Sequence, residues 1–241
     1  MKLLAIDASS LVASVAVLED NTLIGEYTTN YKKTHSQTLL PMIDALSSMI
    51  DLDLGSLDAI AVTKGPGSFT GLRIGSATAK GLALALKKPI VPVATVDSMA
   101  YNFYHTEDLI LPMMDARRNQ VYTGIYQAKG EEVETLVCQC ATGLFDILEK
   151  GVSLAKEKDT GLILLGDGVA AYDQEIKDFM KEQGISWSYA PAHLSRQRAA
   201  SLGVCAARLY REGKYLDGMD YQPEYLRVSQ AERERAEKAK V

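Results

Sequence analysis

The sequence predicts an α/β protein built as two consecutive lobes. Three observations predict it. Apolar runs of strand length alternate with runs of helical spacing along the chain. The order three strands, helix, strand, helix occurs twice. A chain of 241 residues with 47% apolar and 24% charged residues has enough apolar surface for two modest cores.

The first half opens with "KLLAIDAS" and "ASVAVLED", apolar β-branched runs separated by small polar residues, and "TLIGEYTTN" follows the Asp20-Asn21 turn. Three antiparallel strands are expected there. "THSQTLLPMIDALSSMI" places Leu39, Met42, Ile43, Leu46, Met49 and Ile50 at spacings of three and four, which predicts a helix over 36–50 with a wide apolar face. Thr34 or Ser36 is expected to cap it, and Pro41 to lie in its first turns, where a missing N–H costs little. "LDAIAVTKG" reads as a buried strand and "TGLRIGSATAKGLALALKK" as a helix over 70–87, stopped by Lys87-Lys88-Pro89. "PIVPVAT" is a strand and "VDSMAYNFYH" a helix.

The second half repeats the order: strands in "LILPMMDAR", "QVYTGIYQ" and "EVETLVCQCAT", helix in "GLFDILEK", strand in "GLILLGDG", helix in "VAAYDQEIKDFMKEQ". "SRQRAASLGVCAARLYREG" is a last helix. No linker rich in Pro, Gly or Ser separates the halves, so the repeated order alone sets the lobes at 1–106 and 107–228. Beyond them 229–241 reads as a solvated tail, since seven of the twelve residues in "QAERERAEKAKV" are charged.

A net charge of −5 gives no overall basic field, which disfavours autonomous nucleic-acid binding and leaves room only for a local basic patch. Cys138, Cys140 and Cys205 lack the paired spacing of a zinc site and are expected to be free thiols. The opening "MKLLAIDASS" is a strand start rather than a signal peptide, and no apolar run approaches the roughly 20 residues that span a bilayer. A cytoplasmic protein without a membrane partner is expected.

The loop "GPGSFTGLRIG" fails two phosphate-binding templates. Counted from Gly65, the Gly-Lys-Ser/Thr of a P-loop falls on Thr70-Gly71-Leu72, and a dinucleotide fingerprint demands glycine where Thr70 stands. What remains is a tight turn at Gly65-Pro66-Gly67 and a helix N-terminus capped by Ser68 or Thr70, whose N–H groups can hold an anion. The turn outweighs the anion site, and Arg73 reads as a surface or interface arginine. The helix itself carries small residues in rows, Gly71, Gly75, Ala79 and Ala83 on one stripe and Ala77, Gly81 and Ala85 on the next. Glycine costs a helix about 1 kcal/mol, so such rows point to close packing. One row can face the lobe's own sheet, and the other, beside the apolar face of helix 36–50, is left for a partner helix. Periodicity alone leaves open whether both helices are wholly buried inside one lobe. Ser68 misses the Gly-x-Ser-x-Gly elbow, and the three histidines favour no Ser/His/Asp order.

With "AIDAS", "SVAV", "THSQTLLPMID", "KGPGSFTGLRIG", "AKGLA", "MDARRNQVY" and "PEYLR" in this order, residues 1–228 closely resemble the TsaB (YeaZ) family of the actin-like, sugar-kinase-like ATPase superfamily. Gly65 to Gly75 is the most specific segment, with Asp115-Ala116-Arg117 and Tyr225-Leu226-Arg227 as independent support. The resemblance implies two actin-like lobes, each a mixed five-stranded sheet with helices. It also implies a non-catalytic subunit that pairs with TsaD through the first-lobe helices, so that TsaD can place a threonylcarbamoyl group on the adenosine beside certain tRNA anticodons. The ATPase TsaE is a further implied partner, and tRNA is met only through the complex. An isolated chain is expected to pair with a second copy. The candidate interface is Leu39, Ile43, Leu46 and Ile50 on one helix, with Gly71, Gly75, Ala77, Ala79, Gly81 and Ala85 on the other.

The relative TsaD carries a His-x-x-x-His metal pair whose two positions fall here on Thr95 and Met99, and His35, His105 and His193 do not rebuild it. No catalytic residue, metal or required cofactor is therefore expected. A residual ADP or ATP site, if retained, would involve Asp7, Ser9 and Ser10, where the superfamily has a phosphate turn, and Gly166 and Gly168, where it has an adenosine turn. The usual glycine is missing from the first, and Asp167 and Tyr172 depart from the second. A strand-end carboxylate capping local backbone is the favoured reading of Asp7. The alternative class is an ATPase or glycoprotease-like peptidase acting on its own.

Overall fold

Both halves of the chain build the same sheet. The fold is described from a computed structural model covering residues 1–130 and 132–226; Arg227 and the expected tail over 229–241 lie outside the described residues. In the first half β1 (Lys2–Asp7), β2 (Val12–Glu19), β3 (Thr22–Asn30), β4 (Ala59–Gly65) and β5 (Ile90–Ala94) lie in the order β3-β2-β1-β4-β5. In the second, β6 (Leu109–Asp115), β7 (Gln120–Lys129), β8 (Glu132–Gly143), β9 (Leu162–Leu165) and β10 (Trp187–Tyr189) lie in the order β10-β9-β6-β7-β8. Element for element this is the same path: the first three strands run antiparallel and the last two run parallel to the first. The expected two-lobed α/β architecture, with a mixed five-stranded sheet and helices in each lobe, is thus present. Sequence reading missed β10, because three residues are too few to show a period; its parallel pairing with β9 defines it.

The helices are α1 (His35–Met49), α2 (Phe69–Leu86), α3 (Thr95–Ala100), α4 (Leu144–Lys158), α5 (Asp167–Ala171), α6 (Asp173–Met180) and α7 (Ala199–Arg211). Strand β1 shows why its run is apolar throughout. Successive side chains point to opposite faces, and both faces are covered: Leu4 and Ile6 join the core under α1 and α2, and Leu3 and Ala5 the core under α7.

The expected lobe boundary is crossed in both directions. Helix α3 follows the first sheet in sequence, yet Val96, Met99 and Ala100 pack with Ile110 and Met114 of the second. Helix α7 follows the second sheet, yet Ala199, Leu202, Cys205 and Ala206 pack with Leu3, Ala5 and Val91 of the first. Tyr221 also returns to the first core. The lobe drawn at 107–228 therefore includes a helix and a terminal segment that complete the other sheet, and α3 and α7 touch each other between the two. Helix α3 is also shorter than the run to His105: Tyr101, Asn102 and Phe103 close turns, and Asn102 Nδ2 donates to the carbonyls of Leu194 and Arg196.

Local expectations at α1 and α2 fare unevenly. Thr34 is the N-cap of α1, but its hydroxyl caps no N–H. Pro41 is the seventh residue, within the first two turns as expected, yet far enough in that the Gln37 carbonyl loses a helical donor, on an exposed face where water can replace it. Ser68 does cap α2, its Oγ accepting from Gly71 N at 3.3 Å. Leu39, Ile43 and Leu46, expected at a partner interface, are instead 1%, 3% and 4% exposed in the first lobe's own core, with Ile50 packed against it. Gly71, Gly75 and Ala79 are buried too, because α2 lies hard against the turn after β1. Of the residues expected at an interface, Ala77, Gly81 and Ala85 are exposed. All three cysteines are free thiols. Among the described residues no helix is long and apolar enough to cross a membrane.

The two glycine rows should answer oppositely to one methyl group. A Cβ on Gly71 would lie 2.1 Å from the Ala8 carbonyl oxygen, whereas one on Gly81 meets nothing within 4 Å among the described residues. Gly71→Ala should cost about 2–3 kcal/mol through overpacking. Gly81→Ala should gain about 1 kcal/mol of helix propensity. Denaturant titration of both variants checks the pair; equal effects would contradict the packing.

Candidate functional site: the cleft between the lobes

Where strands one and four of each sheet end, the chain leaves in opposite directions and opens a crevice, as in other parallel α/β sheets. Here two such ends face each other across a cleft of about 700 Å³. The turns that build it match between lobes. Asp7-Ala8-Ser9 starts at the last residue of β1, and Asp115-Ala116-Arg117 at the last residue of β6. In each the aspartate Oδ1 accepts from the backbone N–H two residues on, Ser9 N at 2.8 Å and Arg117 N at 2.7 Å. Gly65-Pro66-Gly67 ends β4, and Gly166-Asp167-Gly168 follows β9. The first glycine of each has a left-handed φ, +117° and +107°, and a Cβ there would strike the carbonyl oxygen of Glu224 at 2.4 Å or of Met113 at 1.9 Å.

Of the residues expected to bind nucleotide, Asp7, Gly166 and Gly168 are not among those lining the cleft, and most of the polar groups of the set are already paired. Asp7 is fully buried beneath the floor; Oδ1 also accepts from Ser9 Oγ at 2.7 Å, Oδ2 has no partner among the described residues, and burial pushes the carboxyl above its ordinary range. Ser9 and Ser10 do line the cleft. Ser9 Oγ is spent on Asp7, while Ser10 Oγ donates to Gln197 Oε1 at 3.0 Å and accepts from Val12 N. Gly166 N donates to Ser195 O, its carbonyl accepts from Arg196, and the Gly168 carbonyl accepts from Tyr172 N. Thr95 and Met99 are fully buried one turn apart on α3, and among the described residues no group of three or more His, Cys, Asp or Glu could hold a metal.

The side chains that open onto the cleft are largely ones the sequence reading did not assign. Lys33, His35 and Phe69 come from the first lobe, Asp115, Arg117 and Asp167 from the second, and Tyr225 from the returning segment. His35 Nε2 lies 2.7 Å from the Ser10 carbonyl, which can only accept, so this nitrogen carries the proton, and Nδ1 has no partner among the described residues. Asp115 Oδ1 also accepts from Tyr172 Oη at 2.9 Å. Burial, and then this carboxylate, push the Tyr172 phenol up to about 12. Burial likewise raises Asp167, against the nearby Arg196 that lowers it. Glu224 anchors the returning segment, its carboxylate 2.8 Å from Lys64 Nζ and its N–H donating to the Lys64 carbonyl. A usable signal existed: the pair Asp-Ala and the triplet Gly-x-Gly each recur at the same place in both halves.

The curated tRNA threonylcarbamoyladenosine biosynthesis protein TsaB of Bacillus subtilis (strain 168) is 38% identical to this chain over 232 residues, covering 96% of each. The chain belongs to the TsaB family. The TsaB of Escherichia coli (strain K12) is 30% identical over 235 residues, 94% of this chain and 95% of that protein. The family model of TsaD, tRNA N6-adenosine threonylcarbamoyltransferase, matches residues 22–235. Two solved structures from Pseudomonas aeruginosa share the fold. YeaZ has a TM-score of 0.73 at 25% identity, covering 93% of this chain and 99% of that one. A protein described as uncharacterized with similarity to peptidase YEAZ has a TM-score of 0.75 at 26% identity, covering 94% and 99%.

The buried carboxyl makes the turn after β1 pH-sensitive. Because folded Asp7 titrates above its unfolded value of 3.8, the native state keeps a proton that the unfolded chain has lost, and stability falls as pH rises from 3.8 through the folded pKa. Asp7→Asn keeps the Oδ1 acceptor and removes that loss. Its stability relative to the wild type should therefore improve as pH is raised from below 3.8 to neutrality. Denaturant melts across that range check it, and a pH-independent difference would refute it.

Proposed function

We propose that the chain is a non-catalytic subunit that pairs with a TsaD catalytic subunit through the outer faces of α1 and α2, and so supports threonylcarbamoylation of the adenosine beside the tRNA anticodon. One observation carries this reading. The two helices pack against each other, bury one face each in their own lobe and still leave apolar groups on their outer faces, where Asp44 and Ser48 of α1 are exposed as well. On α1 this face holds Leu40 at 55% and Met49 at 76% exposure, with Pro41 and Ala45 exposed between them; on α2 it holds Leu84 at 48% beside Ala77, Gly81 and Ala85. Large apolar groups flanking a row of small ones suit a helix that approaches closely. The names of the TsaB relatives and the TsaD family match support the pathway.

In this reading TsaE is a further partner, tRNA is met through the complex, and the cytoplasm is the compartment. A second copy of the chain covers the same face when the partner is missing. No nucleotide is required, and the cleft retains at most weak ADP or ATP binding, since the hydroxyls of Ser9 and Ser10 are both engaged within the protein. The Oγ of Ser68 serves as a helix cap, which argues against a peptidase nucleophile there.

Met49→Asp and Gly81→Leu should each weaken co-purification with TsaD by about tenfold or more while leaving the melting temperature within a few degrees of wild type. Gly75 is unsuitable for this test, because its Cβ position lies 3.3 Å from Ala8 Cβ inside the lobe. Unchanged pairing in both variants would overturn the assignment.

A further inference from the structure

The mouth of the cleft carries an aromatic and cationic rim, built where the exposed stripe of α2 that includes Ala77 and Gly81 reaches the start of the helix at Phe69 and Arg73. Phe69 and Tyr225 are 39% and 42% exposed, with ring centroids 5.0 Å apart and planes tilted by 39°. The Arg73 guanidinium carbon lies 4.0 Å from the Phe69 ring centre, and its Nε donates to Tyr225 Oη at 3.3 Å. Rings held in this way form a stacking platform that is ordered before any ligand arrives.

Unpaired cations flank the platform. Lys33 precedes α1 and Arg117 sits in the turn after β6, and both line the cleft. Neither side chain makes an ion pair or hydrogen bond among the described residues, and Lys32 and Arg118 beside them are exposed and equally unpaired. The turn that presents the arginines is tightly specified: Arg117, Arg118 and Asn119 all have left-handed φ values of 62°, 58° and 56°. The Asp115 carboxylate and the bond from Ala116 N to the Gln120 carbonyl hold it. The acidic groups of the cleft are turned to internal tasks: Glu224 pairs with Lys64, Asp115 accepts from Arg117 N and Tyr172, and Asp167 is shifted toward its neutral form by burial. A locally positive rim results on a chain whose net charge is −5.

We infer that this rim binds single-stranded RNA, with a base stacked on Tyr225, which Phe69 and Arg73 hold in place, and flanking phosphates held by Lys33 and Arg117 on opposite walls. Base stacking on aromatic rings tolerates any base, and phosphate contacts carry no base information, so the rim supplies affinity and placement rather than sequence choice. The inference rests on the proposed role in a tRNA-modifying complex and specifies where an unpaired tRNA loop touches this subunit.

The test titrates a labelled anticodon stem-loop, with ATP as a mononucleotide control, into the full chain alone and into its complex with TsaD, over a series of salt concentrations. Tyr225→Ala should weaken RNA binding by about tenfold. Tyr225→Phe, which keeps the ring, should restore it. The double variant Lys33→Ala with Arg117→Ala should reduce the slope of log affinity against log salt by about 1.4, two phosphate contacts at about 0.7 each. Co-purification with TsaD, read on the same samples, should not change. RNA affinity and salt slope equal to wild type in every variant would overturn the inference while leaving the pairing intact. If TsaD does not pair at all, the pairing reading falls, and the chain alone decides: a loss with Tyr225→Ala sustains the rim, and no loss or no binding overturns it. An equal loss of ATP and RNA binding would reassign the rim to a mononucleotide.

Discussion

Three consecutive residues, Arg196, Gln197 and Arg198, tie the molecule together. Arg196 donates to the Gly166 carbonyl on one wall of the cleft, and Gln197 accepts from Ser10 on the other. Arg198 forms an ion pair with Glu26 of β3, a carboxylate only 11% exposed. The same carboxylate accepts from Ala200 N, and Ser14 Oγ accepts from Ala199 N at 2.9 Å, so two N–H groups that a helix start leaves unpaired are satisfied by the first sheet. Helix α7 is thereby aimed across β1 and β2, and the cleft walls keep their spacing because adjacent residues grip both. Removing one partner from such a linked, largely buried set leaves the others unsatisfied, which makes the segment more consequential than its length suggests.

The first lobe divides its work between surfaces. The glycines of α2 and of the loop before it let the helix start press onto the turn after β1, where Ser68 N donates to the Ser9 carbonyl at 2.7 Å. That contact shapes the cleft. The far side of the same helix, with its second small row, stays open. The loop that resembles a phosphate cradle in composition is glycine-rich because backbone must pass close to backbone.

Much of the architecture was legible. Strands β1 to β3 and helices α1 and α2 declare themselves through period and punctuation, and the duplicated order announces the second lobe. Periodicity shows that a face is buried but not what buries it, which is why α7 read as part of its sequence neighbourhood although it completes the first sheet. The same limit misplaced the outer face of α1: the strongest apolar stripe, through Leu39, Ile43 and Leu46, belongs to the core, while the weaker one, with Leu40 and Met49, faces outward. Asp7 was legible as a local cap, and the Asn-like turn chemistry explains it. The platform of Phe69, Arg73 and Tyr225 was not, because residues from opposite ends of the chain meet only once the returning segment is in place.

The late return of α7 has a consequence for synthesis on the ribosome. One face of the first sheet stays uncovered until residues 199–211 have emerged, so the N-terminal half cannot reach its final packing while the rest is being translated. Leu3, Ala5, Ala16 and Leu18 then face solvent, or a chaperone, through most of elongation. A chain truncated before α7 should be expected to fail as a whole, including the half whose own sequence is complete, and the two lobes mature together rather than in order.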